Sequence, residues 1–240
     1  MTPSPVHYIP IFTTCFALGF AVVIFRRYQR RGGPHLCWWG IGMLTFAAGT
    51  ITESVTTLTG WHEPVFRLWY ITGALLGGAP LAQGTVYLLL PRRVANRLTV
   101  ALVLAVLFGA LCVWSSPIDT ALVEPYRLSG KVLAWHWVRL ISPLINLYAL
   151  TFLMGGAILS AVRYARQVET RQRALANVFI AIGALLPGIG GTFTRLGHVE
   201  VLYVTEFLGL CCIALGYRLS VGPALAQPGL LNRSAPLPQG

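Results

Sequence analysis

The chain predicts an all-α fold, a seven-transmembrane-helix bundle with its N-terminus outside and its C-terminus in the cytoplasm. Three observations predict it. Apolar stretches of about 20 residues, the length that crosses roughly 30 Å of hydrocarbon as a helix, recur seven times. Only 10% of residues are charged and 55% are hydrophobic, whereas about a quarter of a soluble domain is charged. The basic residues cluster between the apolar runs and alternate from side to side, as a positive-inside topology requires. Barrel strands would be about half as long and would alternate in polarity. Helices are therefore the elements that satisfy the backbone in lipid.

The spans lie near 8–25, 36–59, 67–90, 98–115, 138–162, 175–195 and 201–219, in a single domain over residues 1–221. The first has no basic region before it and is followed by Arg26, Arg27, Arg30 and Arg31, which makes it an N-out anchor rather than a cleaved signal. The second contains Thr50-Ile51-Thr52-Glu53-Ser54-Val55-Thr56-Thr57. Thr50, Thr56 and Thr57 stand three or four residues from Glu53 and share its face. Such a stripe suits a bundle interior or a wet cleft, and ordinary interhelical hydrogen bonding equally well.

The third span opens at Arg67 and carries Gly73, Gly77, Gly78 and Pro80, followed by Gln83. Arg92, Arg93 and Arg97 precede the fourth. A longer loop near 116–137 then places Trp135 and Trp137 for an interfacial belt, as a short amphipathic turn on the outer surface. The fifth span opens at Arg139 and holds Ser142, Pro143 and Asn146. The sixth follows Arg163, Arg166, Arg171 and Arg173, holds Pro187, Gly188, Gly190 and Gly191, and closes at Arg195. The seventh carries Glu206 and precedes Arg218 and Arg233. Thirteen basic residues thus fall inside and five outside, the five being Arg67, Arg127, Lys131, Arg139 and Arg195. Residues 222–240, with four prolines and little to bury, read as a disordered cytoplasmic tail.

Several function classes drop out. The net charge of +11 is dispersed over the loops, so it sets topology and does not indicate nucleic acid. The five cysteines have neither zinc-ribbon nor Cys-x-x-Cys spacing and read as small packing residues. The only lysine, Lys131, lies in a loop, which excludes a retinal Schiff base on the seventh helix. No catalytic, cofactor or nucleotide motif stands out, so no catalytic residue, cofactor or metal is assigned. His62, His136 and His198 lack the i, i+4 spacing of a helical zinc pair.

The informative residues are polar groups at membrane depth, because charge in hydrocarbon costs several kcal/mol and marks a cavity, a pairing or a pathway. Glu53 and Glu206 fall in the outer third of the bilayer, level with Arg67, Arg139, Arg195, His62, His136 and His198. Thr50, Thr57, Gln83 and Asn146 add uncharged polarity. Ion pairs from Glu53 and Glu206 to Arg67, Arg139 or Arg195 are the expected way of joining the outer helix ends. The Gly and Pro breaks in the third, fifth and sixth spans serve close packing or a midplane site, with packing preferred.

The stretches Arg67-Leu68-Trp69-Tyr70 through Pro91-Arg92-Arg93, and Gly183 through Gly197, resemble uncharacterised bacterial seven-helix integral membrane proteins. In overall plan the chain is also similar to the seven-helix sensor regions that precede bacterial histidine kinases. That resemblance implies a multi-pass protein of the bacterial plasma membrane and a sensing role through a separate output partner, because the proline-rich tail carries no kinase domain. It transfers no site residue. The leading reading is a ligand-binding or sensing bundle, or an accessory subunit of a membrane complex. The alternative is a small-solute transporter or channel using the broken third, fifth and sixth helices. A membrane-embedded hydrolase ranks third.

Overall fold

In the computed structural model the described residues are 5–165 and 170–221, without the side chain of Arg195. The tail over 222–240, expected to be disordered, lies outside them. Among the described residues there are seven long helices and no β-strand. They are α1 (Ile9–Arg31), α2 (Pro34–Thr59), α3 (Glu63–Leu89), α4 (Arg92–Ser115), α5 (His136–Ala165), α6 (Arg171–Leu196) and α7 (Val199–Val221). A 3₁₀ turn, Pro5–Tyr8, leads into α1. Most helices run past the apolar stretch that announces them, because arginines in their terminal turns keep helical backbone while the charged heads reach water.

Six helical stretches are long and apolar enough to cross a membrane: Pro5–Arg31, Glu63–Leu89, Arg92–Ser115, His136–Ala165, Arg171–Thr194 and Val199–Val221. This marks a multi-pass integral membrane protein. Their outward faces agree. Leu111 on α4 is 65% exposed, beside Leu104, Leu107 and Phe108, an apolar face that water would not tolerate. α2 has the length but falls outside this set, since it carries Glu53 and seven Ser or Thr residues. Most of those hydroxyls donate back to carbonyls one turn earlier. Thr45 bonds Gly42, Thr52 bonds Gly49, Ser54 bonds Thr50 and Thr56 bonds Thr52. A hydroxyl satisfied by its own helix can be buried without a partner elsewhere.

Helices α1, α2, α3, α5, α6 and α7 close a ring in which each packs on the next, while α4 lies outside against α3 and α5. Neighbours are mostly antiparallel, which leaves Gly60, residues 116–135 and Gly197 at one end, the loop end. The other end carries Arg26, Arg27, Arg30, Arg31, Arg92, Arg93, Arg97, Arg163, Arg171, Arg173 and Arg218, with no Asp or Glu among the described residues there. α6 and α7 touch backbone to backbone. A methyl group on Gly183 would stand 2.5 Å from the carbonyl oxygen of Gly209, and one on Gly216 would stand 2.5 Å from that of Ala176. Small residues let these helices approach in lipid, where apolar burial alone does not drive them together.

Two helices depart from α geometry. α3 changes to a π-helical turn over Tyr70–Leu76 and breaks at Gly77, whose φ of +40° an L-residue adopts only with strain. α5 starts as a 3₁₀ turn, His136–Leu140, and changes to a π turn over Leu150–Met154. By contrast Pro187 sits inside a continuous α6.

The loop between α4 and α5 is not the surface turn its sequence suggests. Leu128, Val132 and Leu133 are buried and belong to the main core, so the segment plugs the loop end of the ring. Asp119 N–H donates to the Val132 carbonyl at 2.8 Å and Ala134 N–H to that of Pro117 at 3.0 Å, pinning its two arms together. Trp135 and Trp137 stay exposed, with stacked rings 6.2 Å apart.

Candidate functional site

A cavity of about 770 Å³ opens between α2, α3, α5, α6 and α7, beneath the plug. Its size falls in the range of small-molecule sites, about 300–1,000 Å³. The glycines that the sequence places in α6 divide over two faces. Gly183 and Gly190 press on α7, whereas Gly188 and Gly191 border the cavity with nothing within 4 Å of a Cβ. The departures of α3 and α5 from α geometry lie on the cavity wall too, through Gly73, Gly77 and Leu153. Asn146 Nδ2 donates to the Ala74 carbonyl at 3.1 Å, so an α5 side chain serves a carbonyl of the π turn.

Glu53 and Glu206 come together at this cavity. Glu53 is 3% exposed. The Trp69 indole donates to its Oε1 at 3.0 Å. Its Oε2 is buried and meets no donor among the described residues besides the neighbouring Glu206 carboxyl. Glu206 is half-buried and borders the cavity. Tyr203, one turn away on α7, is buried and lies edge-on to the His7 ring at 6.0 Å, which brings the segment before α1 against the same helix. Thr57 donates to the His7 carbonyl at 3.2 Å, and Thr14 donates to the Thr50 hydroxyl at 2.8 Å. Thr57 is thus tied toward the N-terminal segment, while Thr50 borders the cavity as well.

The expected pairing of these carboxyls with Arg67 is replaced by another arrangement. The Arg67 side chain, buried at the loop end of α3, caps α4. It donates to the carbonyls of Val113, of Trp114 at 2.8 Å and of Ser116 at 2.9 Å, and to Glu63 Oε1 at 2.7 and 2.9 Å. A helix leaves its last carbonyls without intrahelical donors, and a cation at that end also meets the favourable pole of the dipole. Arg139 borders the cavity half-buried and has no hydrogen-bond or ion-pair partner among the described residues. The side chain of Arg195 lies outside those described. His136 borders the cavity, as do Lys131 and Ser129 of the plug, while His62 and His198 are exposed at the loop end. No group of three or more His, Cys, Asp or Glu among the described residues is placed to hold a metal ion.

Gln83 has a separate place. It is fully buried on α3, its Nε2 donating to Ala95 O at 3.1 Å and Thr99 Oγ1 at 2.8 Å, and its Oε1 accepting from Tyr148. This knot of α3, α4 and α5 lies toward the arginine end, off the cavity wall. Trp69 and Tyr70 carry polar atoms at the cavity that sequence reasoning does not single out. The available signal is that a buried Trp or Tyr at a helix end needs a partner for its N–H or O–H. Ser142 supplies one contact, donating to Tyr70 Oη at 3.3 Å.

The chain matches no protein-family model, no curated protein and no solved structure.

Proposed function

We propose that the protein is a seven-span sensing bundle, N-terminus outside, that binds a small organic ligand in the cavity of its outer half. The observation that carries this is Glu53, a carboxyl buried beside a cavity large enough for a ligand, one of whose oxygens is bonded only on the Glu206 side. One shared hydrogen bond leaves the remaining lone pairs of this buried carboxyl without donors, which costs free energy unless something enters to satisfy them. Two features support the seventh crossing. Most α2 hydroxyls are satisfied within the helix, and with α2 counted most of the arginines gather at one end, the inner one under the positive-inside rule. Ligand state would then pass through the helix ends to a separate output protein, in keeping with the resemblance to kinase sensor regions.

Gly191→Phe puts a ring into open cavity space and tests the reading. The wild-type protein in lipid nanodiscs is expected to gain thermal stability with at least one member of a small-molecule library. The Phe variant, folded and of similar melting temperature, should lose that gain. A library that stabilises neither protein, or both alike, overturns it. A small-solute carrier is the second reading, because the Gly77 break and part of the α5 π turn border the same cavity. Ligand uptake into proteoliposomes would favour it over sensing.

A further inference from the structure

Resting on that reading of the cavity, we infer that its ligand is a zwitterion with an apolar body, its ammonium against Glu53 and Glu206 and its acidic group against Arg139. Opposite charges border this one cavity without meeting. The carboxyls come from α2 and α7, while the half-buried Arg139 comes from the start of α5 and the exposed Lys131 from the plug. The three ion pairs among the described residues are His7–Glu200, Arg67–Glu63 and Arg127–Glu124, and none of them involves these groups. Two neighbouring carboxyls hydrogen-bonded to each other hold one proton between them, which leaves one negative charge on that wall and, on the other, a half-buried Arg139 guanidinium with no counter-ion among the described residues. A ligand carrying both charges answers both walls at once. A purely cationic ligand would leave the half-buried Arg139 guanidinium unpaired, and a purely anionic one would lie against two carboxyls.

The rest of the lining fixes the body of the molecule. Met43, Leu81, Leu153 and Leu210 are buried and line the cavity away from the charges, toward the arginine end. Only an apolar group fits there without loss. Glu53 stands six residues, about 9 Å along the helix, from the loop end of α2. Arg139 is three residues, about 6 Å along the 3₁₀ turn, below the start of α5. The cation site is thus set deeper than the anion site.

The test uses the full chain in nanodiscs and matched probes. Phenylalanine carries both charges, phenethylamine the cation, hydrocinnamate the anion and hydrocinnamyl alcohol neither; aminocaproate holds the two charges further apart. Binding is read by calorimetry, with circular dichroism confirming that each variant is folded. At least one zwitterion is expected to bind about tenfold or more tighter than each of the three singly charged or neutral probes. Glu206→Gln should weaken that zwitterion and phenethylamine and leave hydrocinnamate no weaker. Arg139→Gln should weaken the zwitterion and hydrocinnamate and leave phenethylamine no weaker. Glu206 is chosen over the more deeply buried Glu53 so that folding survives. Failure of both zwitterions to bind, or equal binding of phenethylamine and phenylalanine with no effect of Arg139→Gln, overturns the inference. If the neutral alcohol binds and Gly191→Phe abolishes it while the zwitterions do not bind, the inference fails and the ligand cavity stands. If a zwitterion binds equally to the wild type and to Gly191→Phe, both fail.

Discussion

Arg67→Met removes a cap whose cost can be worked from its contacts. The substitution keeps an apolar stem of similar reach and deletes every donor. The bond to Glu63 contributes little, since that carboxylate's side chain is 51% exposed and exposed pairs are worth about 0–1 kcal/mol. The three carbonyls at the end of α4 matter more. Trp114 is 58% exposed, so water can replace the guanidinium at its carbonyl. Val113 and Ser116 are fully buried, so their carbonyls are orphaned. At about 1–3 kcal/mol for each orphaned group, the variant should lose roughly 2–6 kcal/mol. Equilibrium unfolding in mixed micelles, followed by circular dichroism, measures it. Arg67→Lys should fall between the two proteins, because one ammonium cannot reproduce the planar fork. Glu63→Gln should lose less than about 1 kcal/mol. A Met variant within 1 kcal/mol of wild type, or a Gln variant as damaged as the Met variant, would refute the capping role.

Two further expectations concern packing. Gly183→Val drives a side chain into the Gly209 carbonyl and should cost about 1–3 kcal/mol or more in the same unfolding assay, whereas Gly188→Val, with open space before it, should stay within about 0.5 kcal/mol. Gln83→Leu removes the acceptor of the half-buried Tyr148 hydroxyl and a donor to Thr99 Oγ1, while the Ala95 carbonyl keeps the Thr99 hydroxyl, so a loss of about 1–3 kcal/mol is expected with ligand binding retained. If that variant lost binding while its stability held, Gln83 would belong to the site.

How far the sequence could be read depended on the range of the signal. A run of apolar residues is local, and it announced the six most hydrophobic helices. α2 was legible for the same reason, although its Ser and Thr residues lower its hydropathy, because back-bonding to carbonyls happens within one turn. The meeting of Glu53 with Glu206 was legible only as a shared depth, and depth does not say which neighbour a side chain faces. Arg67 shows this. Its partner Glu63 stands four residues away and could be read from spacing, but the α4 carbonyls are 46–49 residues distant and depend on how α3 crosses α4. The plug was misjudged because its buried residues, Leu128, Val132 and Leu133, are interspersed with Ser, Gly and Lys and show no period. The π turns leave no local mark beyond the glycines nearby.

The most direct measurement of whether the cavity is reached from the outer side is sided cysteine labelling. With Cys15, Cys37, Cys112, Cys211 and Cys212 replaced by alanine, Gly191→Cys places a thiol on the cavity wall and Arg163→Cys places one at the arginine end. In intact cells a membrane-impermeant thiol reagent added outside should modify position 191 and not position 163, and a bound cavity ligand should protect position 191. Labelling of position 163 alone from outside, or a position 191 that reacts only after the membrane is opened, would contradict an outward-facing ligand cavity.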